Sequence, residues 1–160
     1  MKKILFILLA LIFSISSYAA YDLTVIDTKN EADVIDFVKA WTKNIDTRTS
    51  IKGLIDKLPQ ASFHLALLGT DGHPNNMYSK RQFLQWYNGS NKEIDSNIHE
   101  LSSIKVNKLS MGTWQVNTHY TWTVITKDRH LETYEIDQEW QIKEDKGRGL
   151  QVVGLQEKVE

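Results

Sequence analysis

Cysteine is missing from all 160 residues, which excludes a disulfide-stapled scaffold and a thiolate metal site. Proline occurs twice, at Pro59 and Pro74, and no Pro/Gly/Ser-rich or low-complexity tract interrupts residues 20–160, so no linker divides the chain. A single domain is expected there. Neither sign of charge dominates: 19 Lys and Arg stand against 20 Asp and Glu, with Lys2 and Lys3 at the extreme start. Without a basic stripe to follow a phosphate backbone, nucleic acid is not an expected partner. Gly-rich phosphate loops, nucleophile elbows and Ser/His/Asp spacings are also lacking. The five histidines include no i, i+4 pair, so neither a metal nor a cofactor is expected.

A long hydrophobic run occurs only at the start. Met1-Lys2-Lys3 is cationic, Ile4 to Ile15 is apolar except for Ser14, and Ser17-Tyr18-Ala19 carries small residues at the spacing of a cleavage site. The run has about a dozen residues, short of the roughly 20 that span a bilayer. Residues 1–19 therefore read as a signal peptide cut after Ala19, with no stable membrane insertion afterwards and a periplasmic or secreted destination. No cysteine follows that could carry a lipid. Without disulfides, the domain must be held by its core, and about 140 residues bury roughly 68–70% of their unfolded surface, which suffices.

Asn30 followed by Asp33 can cap a helix, and Val34, Val38, Trp41 and Ile45 recur on one helical face, predicting a helix from Glu31 to Ile45. Ile51, Leu54, Ile55 and Leu58 predict a second, short helix that Pro59 ends. Ala61 to Leu68 reads as a strand closed by Gly69-Thr70-Asp71-Gly72. A capping box at Ser79 to Gln82 opens a third helix with Phe83, Leu84, Trp86 and Tyr87, which Asn88-Gly89-Ser90 is expected to stop.

From Asn97 the period falls to two, predicting strands at about 97–109, 113–126, 130–144 and 149–158, with hairpin turns between them. Trp114, Val116, Tyr120, Trp122 and Val124 share one face of the second of these. In the third, Tyr134, Ile136, Trp140 and Ile142 alternate with Glu135, Asp137 and Glu139. Such a sheet has one packed and one wet face, giving an α+β arrangement with helices on a single side.

The strings FVKAWTKNID, IKGLIDKLP and ASFHLALLG, then SKRQFLQWY and SNIHELSSIKV ahead of the long strands, resemble the nuclear transport factor 2-like superfamily, in particular its SnoaL-like, polyketide-cyclase-like branch. The resemblance covers residues 30–157 and rests on element order and apolar spacing. It implies a cone-shaped roll: three N-terminal helices packed on a strongly bent, mainly antiparallel sheet around a cavity. Members of that superfamily include isomerases, cyclases, dehydratases and non-catalytic binders, and some dimerise through the outer sheet face. Fold alone does not choose among these.

An enzyme of this kind needs an acid or base inside the cone. His64, within the apolar Phe63–Leu68 stretch, is the candidate catalytic residue, although a core imidazole tied to a carbonyl fits the same position. The apolar phase of Ile98, Leu101, Ile104 and Val106 slips, so a bulge is expected and the direction of His99 stays open. His119 alternates with Tyr120 and should face outward. Gln138 is the polar residue on an otherwise apolar inward face, where it can orient a ligand or satisfy a neighbour. Trp41, Trp86, Tyr87, Tyr120, Trp122 and Trp140 form a candidate aromatic lining. Trp114 could instead lie on a dimer surface.

The leading expectation is an exported domain that binds a small apolar molecule or a protein partner without catalysis. The alternatives are a cofactor-independent isomerase, cyclase or dehydratase using His64, and an envelope assembly module that forms a homodimer through the outer sheet.

Overall fold

The computed structural model describes residues 29–160; the expected signal segment and its cleavage site lie outside the described residues. Helix α1 (Glu31–Thr47) begins with reciprocal bonds: Asn30 Oδ1 accepts from the Asp33 amide at 3.1 Å, and Asp33 Oδ2 accepts from the Asn30 amide at 2.9 Å. Two orphan amides are thereby satisfied. Its Val34, Val38 and Trp41 are buried, on the face the spacing predicts. The helix ends at Arg48, whose φ of 52° turns the chain and lets its amide bond Asn44 O at 3.0 Å. That left-handed conformation disfavours a non-glycine residue, and the Arg48 side chain gains two hydrogen bonds there, described below.

Helix α2 (Ile51–Asp56) is capped by Ser50, which accepts from the Gly53 amide at 3.1 Å. Strands β1 (His64–Leu68) and β2 (Pro74–Met77) form an antiparallel hairpin. β2 was not expected from its sequence, Pro-Asn-Asn-Met, which has no apolar alternation. It lies at the edge of the sheet, where proline at the first strand position costs no ladder bond.

Helix α3 (Lys80–Glu93) starts at Ser79 as expected and runs through Asn88-Gly89-Ser90 rather than stopping there. Asn and Gly disfavour a helix by about 0.5–1 kcal/mol each. The flanks outweigh them: Phe83 and Tyr87 are buried upstream, and downstream buried Ile94 donates its amide to Ser90 O.

Strands β3 (Ile94–Ser110), β4 (Thr113–Thr126), β5 (Leu131–Asp145) and β6 (Gly149–Val159) form the meander. The sheet order is β2-β1-β6-β5-β4-β3, with β1 parallel to β6 and every other pair antiparallel. The architecture is thus α+β with an open, curled, mainly antiparallel sheet and helices on one side, as expected. Ile136, Gln138, Trp140 and Ile142 of β5 are buried, while Glu135, Asp137 and Glu139 are exposed.

The main core joins all three helices to the sheet, with Trp41 meeting Phe83 at 6.0 Å and Trp140 edge-on at 6.4 Å. Trp114 belongs to this core at 1% exposure, which removes it from the chain's surface and corrects its expected place at a dimer face. A smaller cluster gathers Leu68, Ile94, Trp122, Val124 and Ile136. A cavity bordered by members of both clusters opens between them.

Candidate functional site

The last turn of α1 carries Asp46 and then Arg48 to the start of β3, where Asn97 and His99 point the same way because strand side chains repeat every second residue. Asp46 Oδ1 accepts from His99 Nδ1 at 2.5 Å and from Asn97 Nδ2 at 2.9 Å, and Asp46 Oδ2 accepts from the His99 amide at 3.1 Å. Arg48 locks this arrangement: Nη1 donates to Ile94 O at 2.8 Å and Nη2 to Asn97 Oδ1 at 3.2 Å. The imidazole stacks on Trp122, with centroids 5.7 Å apart and planes 7° apart, and meets Tyr120 edge-on at 5.9 Å. Because Nδ1 gives its proton to a carboxylate, the neutral ring carries its lone pair on Nε2, for which the described residues supply no hydrogen-bond partner.

His99 lines a cavity of about 210 Å³ with Trp41, Trp86, Tyr87, Trp122 and Trp140 in its wall. The carboxyl groups that border it are those of Glu93 in α3 and Glu157 in β6, while Asp46 stands behind His99. Gln138 Nε2 donates to Glu157 Oε1 at 2.7 Å, and the Leu68 amide donates to Oε2 at 2.7 Å. The Gln138 amide is itself oriented, since its Oε1 accepts from Thr118 Oγ1 at 3.0 Å and Trp140 Nε1 at 3.1 Å. Enclosure pushes the Glu157 carboxyl above the usual carboxylate range; the nearby His99 charge, the Leu68 amide and Gln138 pull it partly back. Burial likewise raises the Tyr87 phenol, against the opposing pulls of Asn91 and Arg48, so it is a neutral hydroxyl at neutral pH. The indole N–H groups of Trp86 and Trp122 are buried without an acceptor. An imidazole with an open nitrogen, a carboxyl and the Trp86 and Trp122 side chains thus border one chamber of mixed aromatic and polar lining, an arrangement able to act on a proton of a small molecule.

No family sequence model matches the chain, and no curated protein resembles it significantly in sequence. Solved structures do match its shape. A hexachlorocyclohexane dehydrochlorinase (LinA) of type 2 superposes with a TM-score of 0.69 at 10% identity, covering 81% of this chain and 84% of that one. A protein from Streptomyces avermitilis, assigned as a dehydratase of the NTF2-like family, gives 0.66 at 9% identity over 79% and 94% of the two chains. A protein from Xanthomonas campestris, assigned as a calcium/calmodulin-dependent protein kinase II association domain, gives 0.67 at 12% over 86% and 93%. The chain has the nuclear transport factor 2-like fold. At such identities the NTF2-like likeness establishes architecture alone, and the mixture of names among these neighbours leaves the chemistry to the site.

Within the NTF2-like cone, Trp41, Trp86, Tyr87, Trp122, Gln138 and Trp140 border the cavity, while Tyr120 stands behind it. The Tyr120 hydroxyl pairs with Thr42 Oγ1 at 3.1 Å and its ring supports His99. His64 does not reach the chamber. Leu65 and Leu67 of β1 turn into the core, which puts His64 on the outer side beside Glu139 and Gln141. There its Nε2 meets Asn76 Oδ1 at 2.8 Å and its ring stacks on exposed Tyr78 at 4.7 Å. His119 also faces outward, 2.9 Å from Asp137 and 3.2 Å from Glu135. His119, Asp137 and Glu160 are the one group with metal-ligand spacing among the described residues, and the two carboxylates are exposed.

Sequence reasoning left four residues of this site without a role: Asp46, Arg48, Asn97 and Glu157. The expected bulge in β3 does occur, between Leu101 and Ser103, and the register sets His99 opposite inward-facing Trp122. A signal for Glu157 was present: it lies two residues beyond core residue Leu155 and opposite Gln138, so strand alternation alone turns it inward.

Proposed function

We propose that this chain is an enzyme that removes a carbon-bound proton from a small, ring-sized molecule and thereby drives an elimination or isomerisation, with His99 as the base and Asp46 as its orienting partner. The carrying observation is the imidazole nitrogen left open inside an aromatic chamber while the other nitrogen is tied to a carboxylate. Asp46 holds the tautomer and stabilises the imidazolium that forms. The Trp122 face fixes the ring plane beside the open nitrogen. The chemistry requires only side chains. Two neighbours in fold, a dehydrochlorinase and an assigned dehydratase, bear names that denote eliminations, which supports the class of reaction but not the substrate.

The test uses 5-nitrobenzisoxazole, a small bicyclic molecule that opens to a coloured phenolate once a base removes its single ring C–H. The native chain is expected to open it above the buffer rate, and His99→Ala to lose about 10²-fold or more of that gain. An unchanged rate in His99→Ala would refute the reading.

Ligand capture without turnover is the second reading, favoured by the unpartnered indole donors of Trp86 and Trp122. It predicts a rise in melting temperature with an apolar ring ligand that His99→Ala leaves intact. The proposal keeps residues 1–19 as an export signal, for which N-terminal sequencing of the exported protein should give Ala20 as the first residue.

A further inference from the structure

We propose that the chamber selects a ligand that carries an ammonium group beside its ring, with the positive charge held by Glu157. The inference rests on the reading of the chamber as a small-molecule site and names the charge of the occupant.

The charges around the chamber do not balance. Arg48, Tyr87, Glu93, His99 and Glu157 are the ionisable groups on its border, and Asp46 stands behind His99. Arg48 and Asp46 are joined through Asn97, whose Oδ1 accepts from Arg48 Nη2 at 3.2 Å while its Nδ2 donates to Asp46 Oδ1 at 2.9 Å. Their opposite charges offset one another. Glu157 has no such counterpart, because its oxygens accept only from Gln138 Nε2 and the Leu68 amide, two neutral donors at 2.7 Å. Gln138 cannot turn over to offer an acceptor, since Trp140 Nε1 and Thr118 Oγ1 already bind its oxygen. A clamp of donors favours the carboxylate. Among the described residues, no Lys, Arg or His lies within ion-pair distance of Glu157 or Glu93. Glu93 is exposed and screened by water, whereas Glu157 is partly enclosed. With a neutral imidazole, the chamber therefore holds an inner negative charge that no side chain pairs.

An ammonium supplies what is missing. Enclosure without a counter-charge is unfavourable for a carboxylate, and a cation brought beside it relieves that penalty. Each Glu157 oxygen keeps a second lone pair for an N–H of the ligand. The wall suits the same ion: Trp41, Trp86, Tyr87, Trp122 and Trp140 border the chamber, and the π-electrons of indole and phenol attract a cation that has shed its water. A ligand carboxylate would instead meet like charge at Glu157. Pairing also serves the imidazole, which lies near enough to Glu157 for their charges to interact. With Asp46 already on Nδ1, a second free carboxylate favours a proton on Nε2, and neutralising it keeps that nitrogen open as the ligand arrives.

The experiment titrates the native chain with three probes built on one ring: benzylamine, an ammonium at neutral pH; benzyl alcohol, its uncharged counterpart of like size; and benzoate. Tryptophan fluorescence reports binding, since four of the five tryptophans border the chamber. Benzylamine should bind about tenfold or more tighter than benzyl alcohol, with benzoate weakest. Glu157→Gln should bring benzylamine to within about twofold of benzyl alcohol while leaving the alcohol within about twofold of its native affinity, and Glu93→Gln should leave the preference standing. Benzyl alcohol binding as tightly as benzylamine overturns the proposal. Benzoate binding tightest also overturns it, by placing the ligand's charge on Arg48. So does a preference that survives Glu157→Gln or vanishes in Glu93→Gln, and so does the binding of none of the three. The order of probes in the native chain is decisive even if Glu157→Gln does not fold. It is also independent of His99 as base: a retained order with unchanged opening of 5-nitrobenzisoxazole in His99→Ala removes the base and keeps the ammonium site, and a failed order with lost opening does the reverse.

Discussion

Two histidine–aspartate pairs sit on opposite faces of one sheet, and their contrast shows what leaves an imidazole nitrogen open. Inside, His99 Nδ1 lies 2.5 Å from Asp46, with side-chain exposures of 8% and 17%. Outside, His119 Nδ1 lies 2.9 Å from Asp137, with exposures of 29% and 58%. The pairing is chemically the same. The outer ring, however, has a carboxylate on each nitrogen, since Nε2 meets Glu135 at 3.2 Å, and water reaches all three groups. The inner ring has one carboxylate, a stacked tryptophan and a free nitrogen in a chamber. A histidine beside an acid is thus uninformative until the second nitrogen is accounted for.

The largest effect expected from that contrast is on turnover. His99→Ala should lower the opening of 5-nitrobenzisoxazole by about 10²-fold or more, whereas His119→Ala should stay within about twofold. Equal losses would erase the distinction between the two faces. Asp46→Asn sharpens it. An amide keeps the size of the side chain but can present its NH₂ to Nδ1, favouring the tautomer whose lone pair points away from the cavity; turnover should fall about tenfold or more with little change in KM. Asp137→Asn should do neither.

Much of this division was legible in the residues. The alternation in β5 separates Ile136, Gln138 and Trp140 from Glu135, Asp137 and Glu139, and each set lies on its expected side. The steps of α1 placed Val34, Val38 and Trp41 correctly for the same reason: a regular element with one buried face writes its period into the sequence. The histidine of the chamber was harder. A bulge adds a residue without a compositional mark, so the phase of His99 follows only from its pairing with Trp122. His64 misled because an apolar neighbourhood along the chain is shared by both faces of a strand. Asp46 sits at the end of its helix, where a charge normally meets solvent, and only its docking on Asn97 and His99 covers it, whereas Glu157 had its signal in the alternation of β6.

Folding stability probes the same contrast more weakly. For Glu157 the folded carboxyl sits above its unfolded value, so the folded chain binds more protons between those two values. Stability therefore declines as pH rises from the ordinary carboxylate range through the folded value, then levels. Glu157→Gln cannot ionise and should remove that decline. Its amide cannot accept from both the Leu68 amide and Gln138, so its melting temperature should be lower than native at pH 4.5, and the deficit should shrink or reverse by pH 8. A constant deficit would mean that Glu157 is as readily ionised folded as unfolded.

The smallest effect belongs to the outer pair. The Asp137 hydrogen bond raises the His119 pKa, with the Glu160, Asp137 and Glu135 charges adding to it. A histidine whose folded value lies above its unfolded one stabilises the fold fully below about pH 6.5, and that contribution fades as pH rises through the folded value. His119→Ala should therefore flatten a shallow loss of melting temperature between about pH 6 and 8, and salt should shrink the difference because the groups are exposed. The inner site should not respond in this way. Added salt should leave the ratio of native to His99→Ala turnover unchanged, because the Asp46–His99 contact is shielded from mobile ions by the Trp122 and Tyr120 rings. A salt-sensitive ratio would mean that the chamber is as wet as the surface, and that the two faces differ only in what surrounds the second nitrogen.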